Sequence, residues 1–312
     1  MTMASARTRA RITGRRRAAF TKARPFTVFG WAAMVLILFV TLFPFYWMLR
    51  EAFTHNAEMF SNFGPWPRHP TFVNFLRVLG LATPAQQQAE APGSYQTLNV
   101  FRDLLNSVIF TAAVALGSVF FCSMAAYAFA RLRWPGRDVV FGIFLSALLM
   151  PPIFAILPNF VTVKSLGWVD TWPGLLAPYV LMQPFALFFL RQFYLGIPRE
   201  IEEAAQIDGL NKWQIYWMIT IRVSGAPLAT VLIIQAAFAW NEYLWPLLVG
   251  QSSSTQLLTA ALGSFVRNSP TSAPDWSGFM AATTITVVPL VIFVLLFGKQ
   301  LVSNLQLTSG GK

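Results

Sequence analysis

Six long stretches of this 312-residue chain contain no charged side chain. They cover residues 25–49, 104–130, 139–163, 171–190, 223–241 and 276–298. Each has close to, or more than, the roughly 18–20 residues that an apolar α-helix needs to cross a bilayer. A seventh uncharged stretch, 243–266, is interrupted at 250–256 by a polar run typical of a loop. The pattern therefore predicts an all-α integral membrane protein with about six transmembrane helices.

The amino-acid composition excludes a soluble globular protein. Charged residues make up 11% of the chain and hydrophobic residues 55%. Soluble domains usually carry about 25% charged residues. The net charge of +11 would also suit a nucleic-acid-binding protein, but the basic residues lie between the apolar stretches, where membrane topology explains them. We therefore expect a lipid bilayer around the chain and no nucleic acid as a partner.

The distribution of basic residues predicts the orientation in the membrane. Residues 1–24 hold eight basic residues and no acid, so the positive-inside rule places the N-terminus in the cytoplasm. Six spans then return the C-terminus to the same side. The segments 131–138 and 191–222 carry three and four basic residues and are predicted to be cytoplasmic. The segments 164–170 and 249–275 carry one each and are predicted to lie outside.

A single membrane domain, 25–305, is predicted between a basic cytoplasmic tail at 1–24 and a short C-terminal tail at 306–312. The basic start also fits a cleaved signal peptide, but the apolar segment after it is too long and lacks a small-residue cleavage site, which favours a retained helix. The largest insert, 51–103, is predicted to be extracytoplasmic. We expect its Gln/Ala/Pro-rich part, 82–88, to be a mobile loop and its Phe/Trp-rich part to form a cap.

One cytoplasmic segment, 196–215, is rich in charges of both signs. Pro198 suits the first turn of a helix, and three glutamates at 200, 202 and 203 follow near the positive end of the helix dipole. Ala204 and Ala205 favour helix, and Gly209 can end it in a left-handed conformation. The sequence therefore predicts a helix of about ten residues at the inner membrane surface, between spans 4 and 5.

Two roles are open for this short helix. An interfacial helix that lies on lipid is usually rich in Lys and Arg, whereas this one has three acids within four residues. Small residues at its middle allow a groove of another protein to approach closely. The composition favours a helix that docks on a protein.

The spacing within this segment resembles that of a known family. Glu203-Ala204-Ala205 is followed after three residues by Gly209 and after nine more by Ile219. This is similar to the EAA loop of bacterial ABC importer permeases. Other matching segments follow in order along about 100–305: 106–107, 125–131, 150–152, 188–193, 240–247 and 298–300. The chain resembles the sugar-importer branch, and within it the six-span second permease of the maltose and glycerol-phosphate type.

The resemblance implies a permease of the bacterial or archaeal inner membrane that forms half of a translocation pore. Its coupling helix would dock in a cleft of a cytoplasmic ATPase, with Glu203 and Gly209 as the functional positions. The docking residues carried over are Glu200, Glu203, Ala204, Ala205, Asp208 and Gly209. The implied partners are a second homologous permease in a heterodimer, two ATPase subunits and an extracytoplasmic solute-binding protein.

The resemblance also implies that this chain binds no cofactor, because ATP and Mg²⁺ belong to the ATPase. The sequence agrees, since it lacks the G-x-x-x-x-G-K-[ST] motif of a phosphate-binding loop. No catalytic residue and no metal site are predicted, because His55 and His69 lack ligand spacing. Where the family continues Ile-x-Leu-Pro, this chain has Arg222 in place of the proline. We therefore expect the fifth helix to start without a break and Pro227 to take over five residues later.

The candidates for the pathway or for gating are Asn106, Pro151, Pro152, Asn241 and Glu242. Proline-broken helices let backbone line a cavity in transporters, although proline is also simply commoner in membrane helices. Glu242 is an acid within an apolar region, which suggests function, yet the tryptophans beside it favour an anchoring role.

Two other functions stay open from the sequence. One is an ABC importer permease for a solute that is not a sugar. The other is a membrane protein of another class, such as an ATPase-independent channel, in which substitutions at Glu203 or Gly209 have little effect.

Overall fold

The computed structural model describes residues 25–92, 98–267 and 274–309, and no β-strand occurs in these ranges. The helices are α1 (Pro25–Ala52), α2 (Val73–Val78), α3 (Pro84–Glu90), α4 (Val100–Arg131), α5 (Arg137–Ser146), α6 (Ile153–Ser165), α7 (Trp172–Val180), α8 (Pro184–Leu195), α9 (Arg199–Ile207), α10 (Lys212–Ile215), α11 (Ile221–Val223), α12 (Gly225–Asn241), α13 (Leu244–Val249), α14 (Leu258–Arg267) and α15 (Trp276–Ser309). A π-helix at Tyr216–Thr220 joins α10 to α11. The all-α prediction is confirmed. The basic N-terminal tail, 1–24, lies outside the described residues.

Among the described residues, two helices are long and apolar enough to cross a bilayer on their own, Phe29–Ala52 and Val100–Arg131. Three pairs of helices are apolar enough together but are bent: α5 with α6, α7 with α8, and α10–α11 with α12. Length and composition thus support up to five spans, and α15 begins with a shorter apolar segment, Trp276–Ile292. Six spans stay a prediction.

The chain forms two compact units, residues 1–47 and residues 48–312. In the first unit, the described part of α1 exposes nearly all of its apolar side chains, among them Phe29, Ile37 and Phe39. In the second unit, α4 is the central element and packs against α7, α8 and α12. The larger buried cluster joins α4, α8 and α12 through Cys122, Ala126, Leu187, Leu190, Tyr194 and Val231.

The expectation of an unbroken fifth helix is wrong. The chain bends by 78° between α11 and α12, at Ser224. Proline clashes with the carbonyl four residues before it, and α11 ends at Val223, four residues before Pro227. Pro227 therefore ends the upstream helix despite Arg222. The 40° bend between α7 and α8 follows the same rule, because α7 ends four residues before Pro184.

Loops that their charges place on the same side of the membrane lie close together in the structure. Asp170 Oδ1 accepts hydrogen bonds from the backbone N–H groups of Gln251 and Ser252, so two loops predicted to share one side of the membrane touch each other. Asn106 donates to the carbonyl of Gln256 at 2.9 Å, which places this end of α4 beside them. Arg131 ends α4 about 38 Å away at 1.5 Å per residue, beside the segment 194–202.

The Asp170 contact is also stabilised electrostatically. Burial raises the pKa of its carboxyl group, but hydrogen bonds from the Thr255 hydroxyl and from the backbone of Ser252 and Gln251 outweigh it. The pKa of Asp170 is therefore held below its ordinary value. The residue has a left-handed φ of 63°, which aspartate tolerates better than most residues.

The insert before α4 contains a helix where a mobile loop was expected, so that prediction is wrong for α3. Pro84 occupies the first turn, and Thr83 and Gln86 form a capping box in which each side chain accepts a hydrogen bond from the other's backbone N–H. The carboxylate of Glu90, at the end of α3, contacts the His55 ring and accepts from the backbone N–H of Asn56 at 3.3 Å. Capping and these contacts fix a segment that has little apolar surface.

A buried polar network ties this insert to the start of α15, and the sequence analysis missed it. Arg77 forms an ion pair with Asp275, and both side chains are almost fully buried. Asp275 also caps α15, because its Oδ1 accepts from the backbone N–H of Gly278 at 2.9 Å. Asn74 donates to the carbonyls of Ala52 and Thr54 at 3.0 and 2.8 Å.

We expect Asp275→Asn to destabilise the folded chain by about 3 kcal/mol, because it leaves the buried Arg77 guanidinium without its counter-charge. Thermal unfolding of the detergent-solubilised protein measures this as a lower Tm. Asp138→Asn is the matched control, since Asp138 lies in an exposed ion pair whose loss should leave Tm unchanged. Equal Tm values for the two variants would show that the Arg77–Asp275 pair does not hold the insert.

Candidate functional site

The charged segment forms the short helix that its sequence predicts. α9 runs for nine residues from Arg199 to Ile207, with two acids in its first turn. Gly209 has a left-handed φ of 88°. The N–H of Leu210 donates to the carbonyl of Ala205, and that of Gly209 donates to the carbonyl of Gln206, both at 3.0 Å. These two bonds define a Schellman turn, which satisfies carbonyls at the helix end.

A second helix, α10, begins almost directly after this turn. Asn211 and Gln214 form a capping box at the start of α10, with bonds of 2.9 and 2.8 Å between side chains and backbone N–H groups. The π-helix and α11 follow directly. The segment that links α9 to the bent α10–α12 element is therefore held by local hydrogen bonds at both of its ends.

α9 has one buried face and one exposed face. Glu202 and Ala205 are buried against the rest of the chain. The exposed face carries Glu200, Glu203, Ala204, Ile207, Asp208 and Gly209. Ile207 is the most exposed apolar side chain there, at 87%. Of the six predicted docking residues, only Ala205 points inward.

The buried face is held by Arg131, the last residue of α4. Arg131 Nε lies 3.0 Å from Glu202 Oε1 in an ion pair whose side chains are 4% and 9% exposed. Its Nη2 donates to the carbonyls of Tyr194 and Ile197 at 2.5 Å each. One guanidinium therefore joins the end of α4, the end of α8 and the first turn of α9.

The sequence alone does not relate these two residues. Glu202 is one of the acids of the predicted helix and Arg131 lies in one of the family segments, but their spacing predicts no contact between them. A signal was present, because a carboxylate on the fourth position of a short helix is either exposed or paired with a nearby cation. Arg131 belongs to a segment predicted to share the cytoplasmic side with α9.

The pathway candidates are distributed over several elements. Asn106 bonds to the carbonyl of Gln256, and Glu242 Oε1 accepts from the backbone N–H of Trp245 at 3.3 Å. Asn241 is exposed and donates to the carbonyl of Ala237 in its own helix at 2.8 Å. Pro151 and Pro152 are exposed at a 109° bend between α5 and α6. Anchoring contacts account for Asn106 and Glu242, and their role in a pathway stays a prediction.

Sequence comparison identifies the family. Residues 118–306 match the family described as "Binding-protein-dependent transport system inner membrane component". The chain belongs to this family. The matched region includes α9, the bent α10–α12 element and the C-terminal part of α4. The chain is thus a permease subunit of the inner membrane and not an enzyme, and ATP hydrolysis in such systems is carried out by a separate ATPase.

Two relatives of this permease cover at least 90% of its length. It is 32% identical over 290 residues to the inner membrane ABC transporter permease protein YcjP of Escherichia coli, covering 90% of this chain and 94% of that one. It is 26% identical over 291 residues to the diacetylchitobiose uptake system permease protein NgcG of Streptomyces coelicolor, covering 93% and 91%. It is 32% identical over 203 residues to the sn-glycerol-3-phosphate transport system permease protein UgpE of Yersinia pestis, covering 65% and 71%.

The fold of this permease is also that of a solved transporter. The crystal structure of a bacterial ABC transporter involved in the import of the acidic polysaccharide alginate contains a chain that superposes with a TM-score of 0.74. The match covers 91% of this permease and 99% of that chain at 20% sequence identity. Permeases of this family act with a partner permease, an ATPase and a solute-binding protein.

Proposed function

We propose that this permease imports a sugar or a sugar derivative. The relatives support this, because two of them are named as permeases for diacetylchitobiose and for sn-glycerol-3-phosphate, and the transporter of similar fold is involved in the import of alginate. All three are sugars or polyhydroxylated relatives. An importer for a different solute is the alternative, and uptake of labelled disaccharides and peptides by the reconstituted transporter distinguishes the two.

The second part of the proposal assigns ATPase docking to α9. The observation that supports this assignment is that one face of the helix is buried and the other is exposed. The buried face is paired with Arg131 of α4, and the opposite face is exposed. Ala204 leaves room for close approach by a cleft, and Glu203 offers a carboxylate to a basic group there. Movement of the docked helix would be passed to α4 through the Arg131–Glu202 pair and to α12 through the short α10–α11 connection.

The proposed assembly has two permeases, this chain and a homologous partner, with two ATPase subunits and a solute-binding protein. We further propose six spans in this chain: α1, α4, α5 with α6, α7 with α8, α10 to α12, and α15. Both termini would then be cytoplasmic, as the basic N-terminal residues favour. ATP and Mg²⁺ would be bound by the ATPase, and none by this chain.

We expect Glu203→Gln to abolish or strongly reduce ATP-driven uptake while leaving the chain folded, because Glu203 is exposed and its charge contributes to docking. Uptake into proteoliposomes and ATP hydrolysis are measured together. Glu200→Gln is the matched control on the same exposed face, and we expect a smaller loss there. Unchanged uptake in both variants would favour a channel that works without the ATPase.

A further inference from the structure

A basic pocket lies where α5 begins, next to the first residue of α9. It has a volume of 450 Å³. Its lining residues are Arg133, Trp134, Gly136, Arg137, Asp138, Val139 and Arg199. Three of these seven side chains are guanidinium groups and one is a carboxylate. The coupling mechanism described above uses none of them.

The charges in this pocket do not balance. Asp138 is paired with Arg137 at 3.1 Å and also lies 3.5 Å from Arg191 Nη2. In the part of the chain that the structure describes, the side chains of Arg133 and Arg199 have no ion pair and no hydrogen bond, although both are exposed into the same space. Two unpaired guanidinium groups facing one pocket favour an anionic ligand.

The neighbouring groove differs from this pocket. It measures 610 Å³ and shares Arg133, Arg137 and Arg199 with the pocket, but it also contains Arg131, which is paired with Glu202 and donates to the carbonyls of Tyr194 and Ile197. Both Glu202 and Glu203 of α9 line the groove, and neither lines the pocket. The unpaired arginines therefore border both spaces, and the pocket is the side that holds no carboxylate of α9.

Phosphate is an anion that suits two guanidinium groups lining one pocket. Arginine presents planar pairs of N–H donors that match the oxygens of a phosphate, and such charge-assisted bonds are about twice as strong as neutral ones. A soluble phosphate and a phospholipid headgroup both offer this chemistry.

The surroundings favour the lipid. Val139 lines the pocket and is 69% exposed, and Ile143, one helical turn further along α5, is 64% exposed. The two form an apolar strip that leads away from the arginines along a segment of apolar composition. Trp134, also in the pocket, is a residue type enriched at membrane interfaces.

We propose that this pocket binds the phosphate of an anionic phospholipid, with an acyl chain along Val139 and Ile143. The placement of the pocket at the cytoplasmic bilayer surface rests on the proposed function. Because Arg199 is the first residue of α9, the bound headgroup links the start of α5 to the coupling helix. The lipid would thus help to hold that helix in position for docking.

The test measures lipid retention by the full-length chain, purified with its partner subunits and transferred to phosphatidylglycerol nanodiscs. The protein complex is then released from the nanodiscs, and native mass spectrometry counts the lipid molecules that remain bound to it. We expect Arg133→Gln and Arg199→Gln each to lower the affinity for phosphatidylglycerol about fivefold, and the double variant about 25-fold. Arg222→Gln, an exposed arginine outside the pocket, is the control and should leave the affinity unchanged. The corresponding lysine variants should retain most binding.

Three outcomes overturn the proposal. One is undiminished phosphatidylglycerol retention in the double glutamine variant. Another is that excess inorganic phosphate displaces all of the lipid and that Val139→Ser leaves lipid retention unchanged. This result would indicate a site for a soluble anion. The third is loss of the ATPase subunit from the double variant with lipid retention intact, which assigns the arginines to a protein contact. Glu203→Gln tests docking separately, because it should alter uptake and leave lipid retention unchanged.

Discussion

Gly209→Ala is expected to uncouple ATP hydrolysis from uptake. The φ of 88° at this position costs a residue with a Cβ about 1–2 kcal/mol. The equilibrium between the Schellman turn and its open forms then shifts about 5- to 30-fold towards the open forms. Because this turn fixes the end of α9 and its passage into α10, we expect uptake to fall with it. Proteoliposome uptake and ATP hydrolysis, measured on the same preparation, give the coupling ratio.

The chain provides a matched control for this substitution. A Cβ added at Gly209 or at Gly225 would meet no atom within 4 Å, so the two positions differ in backbone conformation and not in available space. Gly225→Ala, in the first turn of α12, should therefore preserve uptake. Gly209→Asn should retain more uptake than Gly209→Ala, because asparagine tolerates the left-handed region. Equal uptake in Gly209→Ala and Gly225→Ala would rule out a coupling role for the turn.

Arg131→Ala is expected to produce the largest loss of stability at the coupling site. Removal of one partner from a buried ion pair costs about 3–5 kcal/mol. In this case the carbonyls of Tyr194 and Ile197 lose their donor as well. We expect a lower Tm in detergent, and loss of uptake in whatever folded protein remains, since α9 is then no longer tied to α4.

A double-mutant cycle built from Arg131→Met, Glu202→Leu and their double variant separates stability from coupling. Glu202→Gln should cost less than Arg131→Ala, because the arginine keeps its two carbonyl acceptors. A double variant with Arg131→Met and Glu202→Leu should recover much of the stability, since well-packed apolar pairs often replace buried ion pairs without loss. If the recovered protein also transports normally, packing alone joins α9 to α4 and the charge is dispensable. A Tm that is additive across the cycle would contradict a direct interaction.

Features specified by neighbouring residues could be predicted from the sequence. The bounds of α9 follow from Pro198, the acids of its first turn and Gly209, and the structure agrees to within about a residue. The long apolar helix α4 was predicted from an uncharged stretch that needed only a few residues added at its start. Local chemistry decides these elements, so the order of residues is sufficient.

Two errors came from local signals that were present but weighed wrongly. The 78° bend at Ser224 is set by Pro227, which the sequence predicts to take over from the missing proline at position 222. Its effect falls on the carbonyl of Val223, four residues upstream, so the break lies within the start of the fifth helix that was expected to be continuous. The helix α3 was judged from its low apolar content, although Thr83, Pro84 and Gln86 form a complete N-terminal cap.

Contacts between distant parts of the chain were beyond reach of the sequence. Arg77 and Asp275 are 198 residues apart, and neither periodicity nor spacing relates them. The same holds for Arg131 and Glu202, whose shared side of the membrane was predicted but whose contact was not. The orientation of α9, with Glu202 inward and Glu203 outward, depends on that contact, since both are glutamates at successive positions.

The bend between α5 and α6 has a consequence for water in the membrane. The carbonyl of Leu148 would normally accept from the N–H three or four residues later, but those residues are Pro151 and Pro152, which have none. A helix of thirteen residues such as α6 spans only about 20 Å, so in the proposed arrangement, where α5 and α6 form one span, this bend would fall at a depth where lipid offers no donor. Backbone carbonyls without a donor are tolerated there only where they contact protein or line a water-filled cavity. We therefore expect one of two surroundings for the bend: either the partner permease covers it, or a pore solvates it and leaves the carbonyl oxygen available to a hydroxyl-rich solute on its way through.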